Sequence, residues 1–244
     1  MGKIIAAFSG GKDSTCFVLR LAELGQPPDE LLWTPTGDEL PECVEHIDRI
    51  AEMSGSKLVI RQAKVTLYDL IDEYNALPNQ NMRWCTRQLK IEVAIAHLVA
   101  NPGSTLLVGL RADEEERVGM FGDYAAYRYP LREWGWDEAK VWSYLDARGV
   151  KVPDRTDCAI CYDQRLGEWF RLWKEHPEIY ARAEALEERT GFTFRSKTRD
   201  TWPPPLKELK VEFERGRKVP GIVALPLFGD YTTKDRKRCR VCSM

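Results

Sequence analysis

Ser9-Gly10-Gly11-Lys12-Asp13-Ser14-Thr15 separates two stretches of opposite character, and its reading decides the fold. Before it, Lys3-Ile4-Ile5-Ala6-Ala7-Phe8 is a short apolar run suited to a buried strand; after it, Cys16-Phe17-Val18-Leu19 through Leu24 reads as a helix. The seven residues therefore form a strand-to-helix turn. Adjacent glycines let backbone approach an oxyanion closely, and the helix start offers unpaired N–H groups and a positive dipole end to the same anion. Lys12 adds a mobile cation, Ser9, Ser14 and Thr15 can donate hydroxyl hydrogen bonds to phosphate oxygens, and Asp13 could hold a Mg²⁺ ion bridging them.

Outward from that turn the chain alternates strand and helix. Leu31-Leu32-Trp33-Thr34 is expected as a second strand, Cys43 to Met53 as a helix, Lys57-Leu58-Val59-Ile60-Arg61 as a third strand and Leu67 to Tyr74 as another helix. Ser104 to Gly109 follows as a fourth strand, Tyr127 to Trp134 is short and extended, and a helix begins near Trp136. Such alternation predicts an α/β fold with a doubly wound, mainly parallel sheet covered on both faces. The expected division is a nucleotide domain over residues 1–150 and a helical segment with a cysteine-bearing tail over 151–244. Arg165 to Arg189 reads there as two helices broken at His176-Pro177, and Trp202-Pro203-Pro204-Pro205 as a stiff linker.

Composition narrows the class. The 244 residues are 43% hydrophobic, enough for one sizeable core with an appendage, and 36 basic against 38 acidic residues leave a net charge of -2. A globally basic nucleic-acid binder is excluded, although Lys234 to Arg238 makes the tail locally basic. No apolar run approaches the roughly 20 residues needed to cross a bilayer, and the first strand begins too early for a signal peptide. The expectation is a cytoplasmic protein, in which the seven cysteines are ligands, nucleophiles or core residues rather than disulfides.

Four further stretches carry candidate chemistry. Thr36-Gly37-Asp38-Glu39-Leu40-Pro41-Glu42 sits just past the second strand, where open α/β sheets place ligand loops. Arg83-Trp84-Cys85-Thr86-Arg87-Gln88-Leu89-Lys90 brings three cations near one cysteine; at helical spacing, Arg83 with Arg87 or Arg87 with Lys90 shares a face suited to phosphate or sulfate, favouring a Cys85 thiolate. Gly109-Leu110-Arg111 follows the fourth strand, placing an arginine where it could clamp phosphate. Cys158-Ala159-Ile160-Cys161 and Cys239-Arg240-Val241-Cys242 form two C-x-x-C pairs, whose four sulfurs would close a Zn²⁺ site or hold an iron-sulfur cluster. Cys16 and Cys43 read as structural, and nothing marks His46, His97 or His176 as ligands.

The opening turn is not the ATPase loop G-x-x-x-x-G-K-[ST], since one residue separates Gly10 from Lys12. It resembles the PP-loop S-G-G-x-D-S of the ATP pyrophosphatase and sulfonucleotide reductase superfamily. The segment from Thr36 resembles T-G-x-x-x-P-E of sulfonucleotide reductases, and that from Arg83 resembles the R-x-C-T-x-x-x-K element of the phosphoadenosine-phosphosulfate-reductase-like family, including its phage and DNA-sulfur-modification branches. Gly109, Arg111 and Glu114 match G-x-R-x-x-E-S-x-x-R, with Glu115 in place of the serine and Arg117 one position early. Tyr129-Pro130-Leu131 with Trp136 and Trp142-Ser143-Tyr144-Leu145 resembles another block of that family.

This resemblance implies an adenine nucleotide held by Ser9 to Thr15, Thr36, Gly37, Arg83, Arg87, Lys90, Gly109 and Arg111, with Lys12, Asp13, Cys85 and Arg111 as the reacting set. The unbroken S-G-G-K-D-S string implies ATP with Mg²⁺, used to adenylate an acceptor before sulfur transfer, the acceptor being nucleic acid or a small molecule and the partner a sulfur donor. The alternatives are a reductase that releases sulfite from PAPS or APS with a thiol reductant, and a noncatalytic nucleotide- or nucleic-acid-binding subunit. No membrane partner is expected, and a homodimer is among the states allowed. Adenylylsulfate reductases in the family carry a [4Fe-4S] cluster on a vicinal cysteine pair and a later C-x-x-C. Cys85 and the pair Cys158 and Cys161 match that set in part, and the expected ligands are Cys158, Cys161, Cys239 and Cys242, for a [4Fe-4S] cluster or alternatively Zn²⁺.

Overall fold

The structure, a computed structural model, describes residues 2–117, 122–220, 222–224 and 231–233. Strand β1 (Ile4–Ala7) leads through the glycine turn into α1 (Lys12–Glu23), and β2 (Glu30–Trp33) leads into α2 (Pro41–Ser54), which starts on Pro41 and ends on Gly55 in the left-handed conformation. After β3 (Lys57–Ile60) come α3 (Leu67–Tyr74), the short α4 (Trp84–Thr86), a π turn over Arg87–Ile91 and α5 (Glu92–Val99). Strand β4 (Thr105–Leu107), β5 (Ala126–Arg128), α6 (Pro130–Glu133) and α7 (Glu138–Ala147) complete the first half. Helices α8 (Leu166–Glu175), α9 (Pro177–Thr190) and α10 (Leu206–Glu214) and the antiparallel pair β6 (Ile222–Ala224) and β7 (Tyr231–Thr233) follow.

The five strands β1 to β5 form one all-parallel sheet in the order β3-β2-β1-β4-β5. Alternation along the strands separates two apolar faces. Ile5, Leu32, Val59, Leu106 and Val108 pack with Ala94 and Leu98 of α5. On α1, Phe17, Val18 and Leu21 are buried, and the helix packs against α2 and α7. The doubly wound α/β expectation is met. Because β2 and β4 flank β1 on opposite sides, the chain reverses direction of travel between β1 and β4, and the crevice at their carboxyl ends is where such sheets bind ligands.

The chain divides into two compact units, and the division is not a single cut near residue 150. Of the described residues, those up to Thr66 and Cys85–Asp157 form the sheet unit, whereas Leu67–Trp84 joins those from Cys158 on. Helix α3 is tied into the second unit by Arg189, which ion-pairs with Asp72, and by the Arg182 guanidinium 5.3 Å from the Tyr68 ring centre. Two local expectations change. Pro130, with its fixed φ, starts a helical turn at α6 where an extended run was expected. Trp202 is buried against Phe213 of α10, ring centres 5.9 Å apart, so the segment before α10 is packed rather than a free linker, and Pro205 is the N-cap of α10.

In the second unit, Trp169 of α8 packs on Tyr180 of α9 and on Phe194, and Tyr180 donates its hydroxyl to Leu206 O at 2.8 Å. Glu187 of α9 accepts from the Phe194 N–H at 2.8 Å and from the Leu206 N–H at 2.6 Å, holding two later segments to one helix. Burial, the larger influence, pushes its carboxyl up to about 7 against these two hydrogen bonds. With the folded value above the unfolded 4.5, the folded unit binds the extra proton, so its stability falls as pH rises from 4.5 to 7, by up to roughly 3 kcal/mol. Hydrogen exchange at the Phe194 and Leu206 amides, corrected for intrinsic rates, should report that slope, and Glu187→Gln should flatten it. An unchanged slope in the variant would assign the pH dependence elsewhere.

Candidate functional site

The glycine turn sits at the carboxyl end of the central strand, and its geometry follows from its residue types. Gly10 has φ +73°, and a Cβ there would lie 3.0 Å from Ile47 Cγ1, so the position requires glycine on both conformational and steric grounds. Gly11 is the N-cap of α1 and no side chain caps the helix, leaving its first-turn N–H groups directed at the crevice. Ser14 Oγ donates to Gly11 O at 3.0 Å and lies 3.5 Å from Ser9 Oγ. Gly109, just past β4, closes the cradle from behind. A Cβ on it would meet Phe17 at 3.2 Å and the Ser14 backbone nitrogen at 3.3 Å, so a larger residue would push α1 off the end of β4.

Charge is concentrated around Asp13. Arg111, only 1% exposed, donates from NH1 to Asp13 Oδ2 at 2.9 Å, from Nε to Asp113 Oδ1 at 2.9 Å and from NH2 to Asp113 Oδ2 at 3.1 Å. Glu114 Oε2 stands 3.6 Å from the same guanidinium and accepts from the Arg111 backbone N–H. Lys12 Nζ is 3.1 Å from Asp13 Oδ2 and 3.7 Å from Glu138 Oε1 of α7. Burial pushes the Asp13 carboxyl up, opposed by Lys12 and Arg111, and the surrounding acids hold Arg111 firmly protonated despite its burial. The second carboxylate oxygen, Asp13 Oδ1, is buried with no hydrogen-bond partner among the described residues. An orphaned acceptor oxygen in the first turn of α1 fits a hard divalent cation, and Asp13 is the residue that would hold it.

The remaining sequence candidates distribute as follows. Thr36 and Gly37 lie in the loop after β2, where Glu39 accepts from the Thr36 N–H at 2.6 Å, the Thr36 hydroxyl at 2.8 Å and the Gly37 N–H at 3.1 Å, so the loop is stapled to itself. Arg83 is exposed and precedes the helix that begins at Trp84; it does not share a helical face with Arg87. Arg87 and Lys90 fall in the π turn, whose wider winding abolishes the three- and four-residue spacing expected of an α-helix, and Arg87 pairs with Glu92 at 2.8 Å. Cys85 is half-buried at the start of the same helical stretch.

Cys158 and Cys161 share one turn in the second unit, with the Cys161 N–H donating to Cys158 O at 3.2 Å. Cys239 and Cys242, and the basic stretch 234–238, lie outside the described residues. Among the described residues, no group of three or more His, Cys, Asp or Glu side chains is gathered for a metal. The described residues thus supply two thiols of a four-sulfur set, which by themselves do not complete a cluster site.

Sequence reasoning passed over His46, Asp113 and Glu138. Asp113 lies next to the quoted Glu114 and meets Arg111 only two residues away, whereas Glu138 reaches Lys12 across 126 residues, a pairing no local signal announces. His46 lies beneath the glycine turn, with Nε2 3.0 Å from Thr15 Oγ1. No helix of the described residues is long and apolar enough to cross a membrane.

A family model described as phosphoadenosine phosphosulfate reductase domain matches residues 3–154. An uncharacterized protein of Methanocaldococcus jannaschii is 27% identical over 199 residues, 74% of this chain; the chain spans 40% of that relative's length. Among solved structures, the phosphoadenylyl-sulfate reductase of Candida auris, a phosphate complex, aligns with a TM-score of 0.52 at 16% identity over 63% of this chain and 76% of its own, a likeness of fold. The U34-tRNA thiolase NcsA of Methanococcus maripaludis, with its [4Fe-4S] cluster, aligns at 0.47 and 17% identity over 100% of this chain and 80% of its own.

Proposed function

The chain belongs to the phosphoadenosine phosphosulfate reductase domain family, and from that premise we propose that it is an ATP-dependent adenylating enzyme whose activated product undergoes sulfur transfer. One observation carries the choice of ATP: the glycine cradle ends on a carboxylate, Asp13, with one oxygen buried and unpartnered, as the divalent cation of a nucleotide triphosphate requires. A bound Mg²⁺ would supply charge neutralisation for the departing pyrophosphate.

The chain's own groups divide the work. The first-turn N–H groups of α1 and the Gly11 amide bind phosphate oxygens, and Lys12 follows negative charge as it accumulates on the leaving group. Arg111 holds Asp13 in place through the 2.9 Å contact. The acceptor oxygen forms a bond to the α-phosphorus while the α–β bridging bond breaks, and pyrophosphate leaves with the electron pair. A sulfide donor then forms the C–S bond as the C–O bond to AMP breaks, the electron pair leaving with AMP. The acceptor class is a nucleic-acid base or a small carbonyl compound.

The family's description favours a second reading, reductive release of sulfite from an adenylyl sulfate at the expense of a thiol. One assay separates the two. With Mg²⁺ and ATP the purified protein should release pyrophosphate; sulfite from PAPS or APS with no turnover of ATP would overturn the proposal in favour of the second reading.

The cysteines are tested independently of turnover. Protein purified anaerobically is expected to bind iron and sulfide in equal amounts with a broad visible absorption, lost in Cys158→Ser and in Cys161→Ser. A colourless protein holding zinc lost by the same substitutions would assign the pair to a structural site.

A further inference from the structure

Thr15 and His46 form a buried hydrogen-bond relay under the phosphate cradle whose direction is determined by its far end. Arg49 NH2 lies 2.8 Å from His46 Nδ1 and 2.8 Å from Lys151 O. A guanidinium only donates, so Nδ1 accepts, and the neutral ring carries its proton on Nε2. Burial, reinforced by Arg49 and opposed by a hydrogen bond to the Gly10 backbone, pushes the imidazole down to about 4, which keeps that neutral form across the physiological range. Nε2–H then donates to Thr15 Oγ1 at 3.0 Å, and the Thr15 hydroxyl proton has one direction left, to Gly10 O at 3.2 Å. Thr15 is fully buried and His46 nearly so.

The relay ends on the carbonyl of the Gly10–Gly11 peptide, which joins the two glycines of the cradle. Gly10 and Gly11 have no Cβ, so nothing intrinsic to them opposes a rotation that would exchange the Gly10 carbonyl with the Gly11 N–H. In a trans peptide the two point opposite ways, so a carbonyl held back into the protein leaves the N–H on the cradle side, where Ser9 Oγ accepts from it at 3.4 Å. Were the peptide to turn, an oxygen would face the phosphate in place of a donor.

We propose that His46 is a positioning residue which, directly and through Thr15, holds the Gly10 carbonyl and so locks the Gly10–Gly11 peptide with its N–H on the side of the nucleotide's phosphates. The proposal rests on the reading of Ser9 to Thr15 as a phosphate cradle, and its test separates the two. Equilibrium binding of ATP with Mg²⁺, of pyrophosphate and of adenosine is measured on the full chain, alongside thermal unfolding. His46→Leu and Thr15→Val should each weaken ATP and pyrophosphate about ten- to hundredfold, the worth of one hydrogen bond to a charged group, and leave adenosine within about twofold. The double substitution should cost less than the sum of the two single ones, because both act on the same Gly10 carbonyl. His46→Gln, which retains a donor at the ε position, and Thr15→Ser, which retains the hydroxyl, should hold ATP affinity within about threefold of wild type.

Thr15→Val preserves side-chain volume and carries the test should His46→Leu fail to fold. Additive losses, equal loss of adenosine binding, or unchanged ATP affinity in Thr15→Val would overturn the proposal. Wild-type protein that binds neither ATP nor pyrophosphate would instead overturn the cradle reading, and the relay's role with it.

Discussion

Replacing Arg111 with methionine is expected to destabilise the sheet unit by about 3–5 kcal/mol, the cost of deleting one partner of a buried ion network. For a chain of this size that corresponds to a fall in Tm of roughly 6–20 °C. The reason is local: Asp13, Asp113 and Glu114 converge on one guanidinium that is 1% exposed, and methionine fills its volume while leaving three carboxylates to repel one another. Arg111→Lys keeps the charge but loses the fork that reaches Asp13 and Asp113 together, so it should recover only part of the loss. Calorimetry with and without ATP tells this role from that of a phosphate ligand alone. A side chain that only clamps phosphate would leave the unliganded melting point unchanged, and that result would sink the expectation.

The largest catalytic effect is expected at Lys12. On the proposed reaction, Lys12→Ala should lower the rate constant for pyrophosphate release about 10²- to 10³-fold with little change in KM, because the charge it meets develops on the leaving group after binding. Stability should move far less than in Arg111→Met, since Asp13 keeps its contact with Arg111. Steady-state pyrophosphate assays across ATP concentrations give the split. A large rise in KM with the rate constant intact would make Lys12 a ground-state binder.

The sheet and its ligand-bearing loops were legible because their signals are local. An apolar run, two glycines and a helix start at residues 3–24 specify a strand, a turn and a helix without reference to anything distant, and the loops after β2 and β4 follow the same rule. Three features were not legible, each for its own physical reason. The basic element at Arg83, Arg87 and Lys90 was read at 3.6 residues per turn, whereas the π turn inserts an extra residue that composition does not announce. Helix α3 has an apolar face, but amphipathicity says only that a face is buried, not against which unit, so its place in the second unit was invisible. His46 looked like one more polar residue of an amphipathic helix; its partner Thr15 lies 31 residues earlier, and only the crossing of α2 beneath the turn brings them together.

The π turn over Arg87–Ile91 also has an evolutionary and engineering corollary. A winding of this type stores one surplus residue that a plain α-helix would reject, so removing a single amino acid from 87–91 would let Thr86 and α5 join in regular register. Everything upstream on that helix, Cys85 included, would then swing by about 100° around the axis. The thiol's bearing is therefore set by a count of residues, and a lineage that lost one there would keep its fold while presenting a different side chain at the same depth.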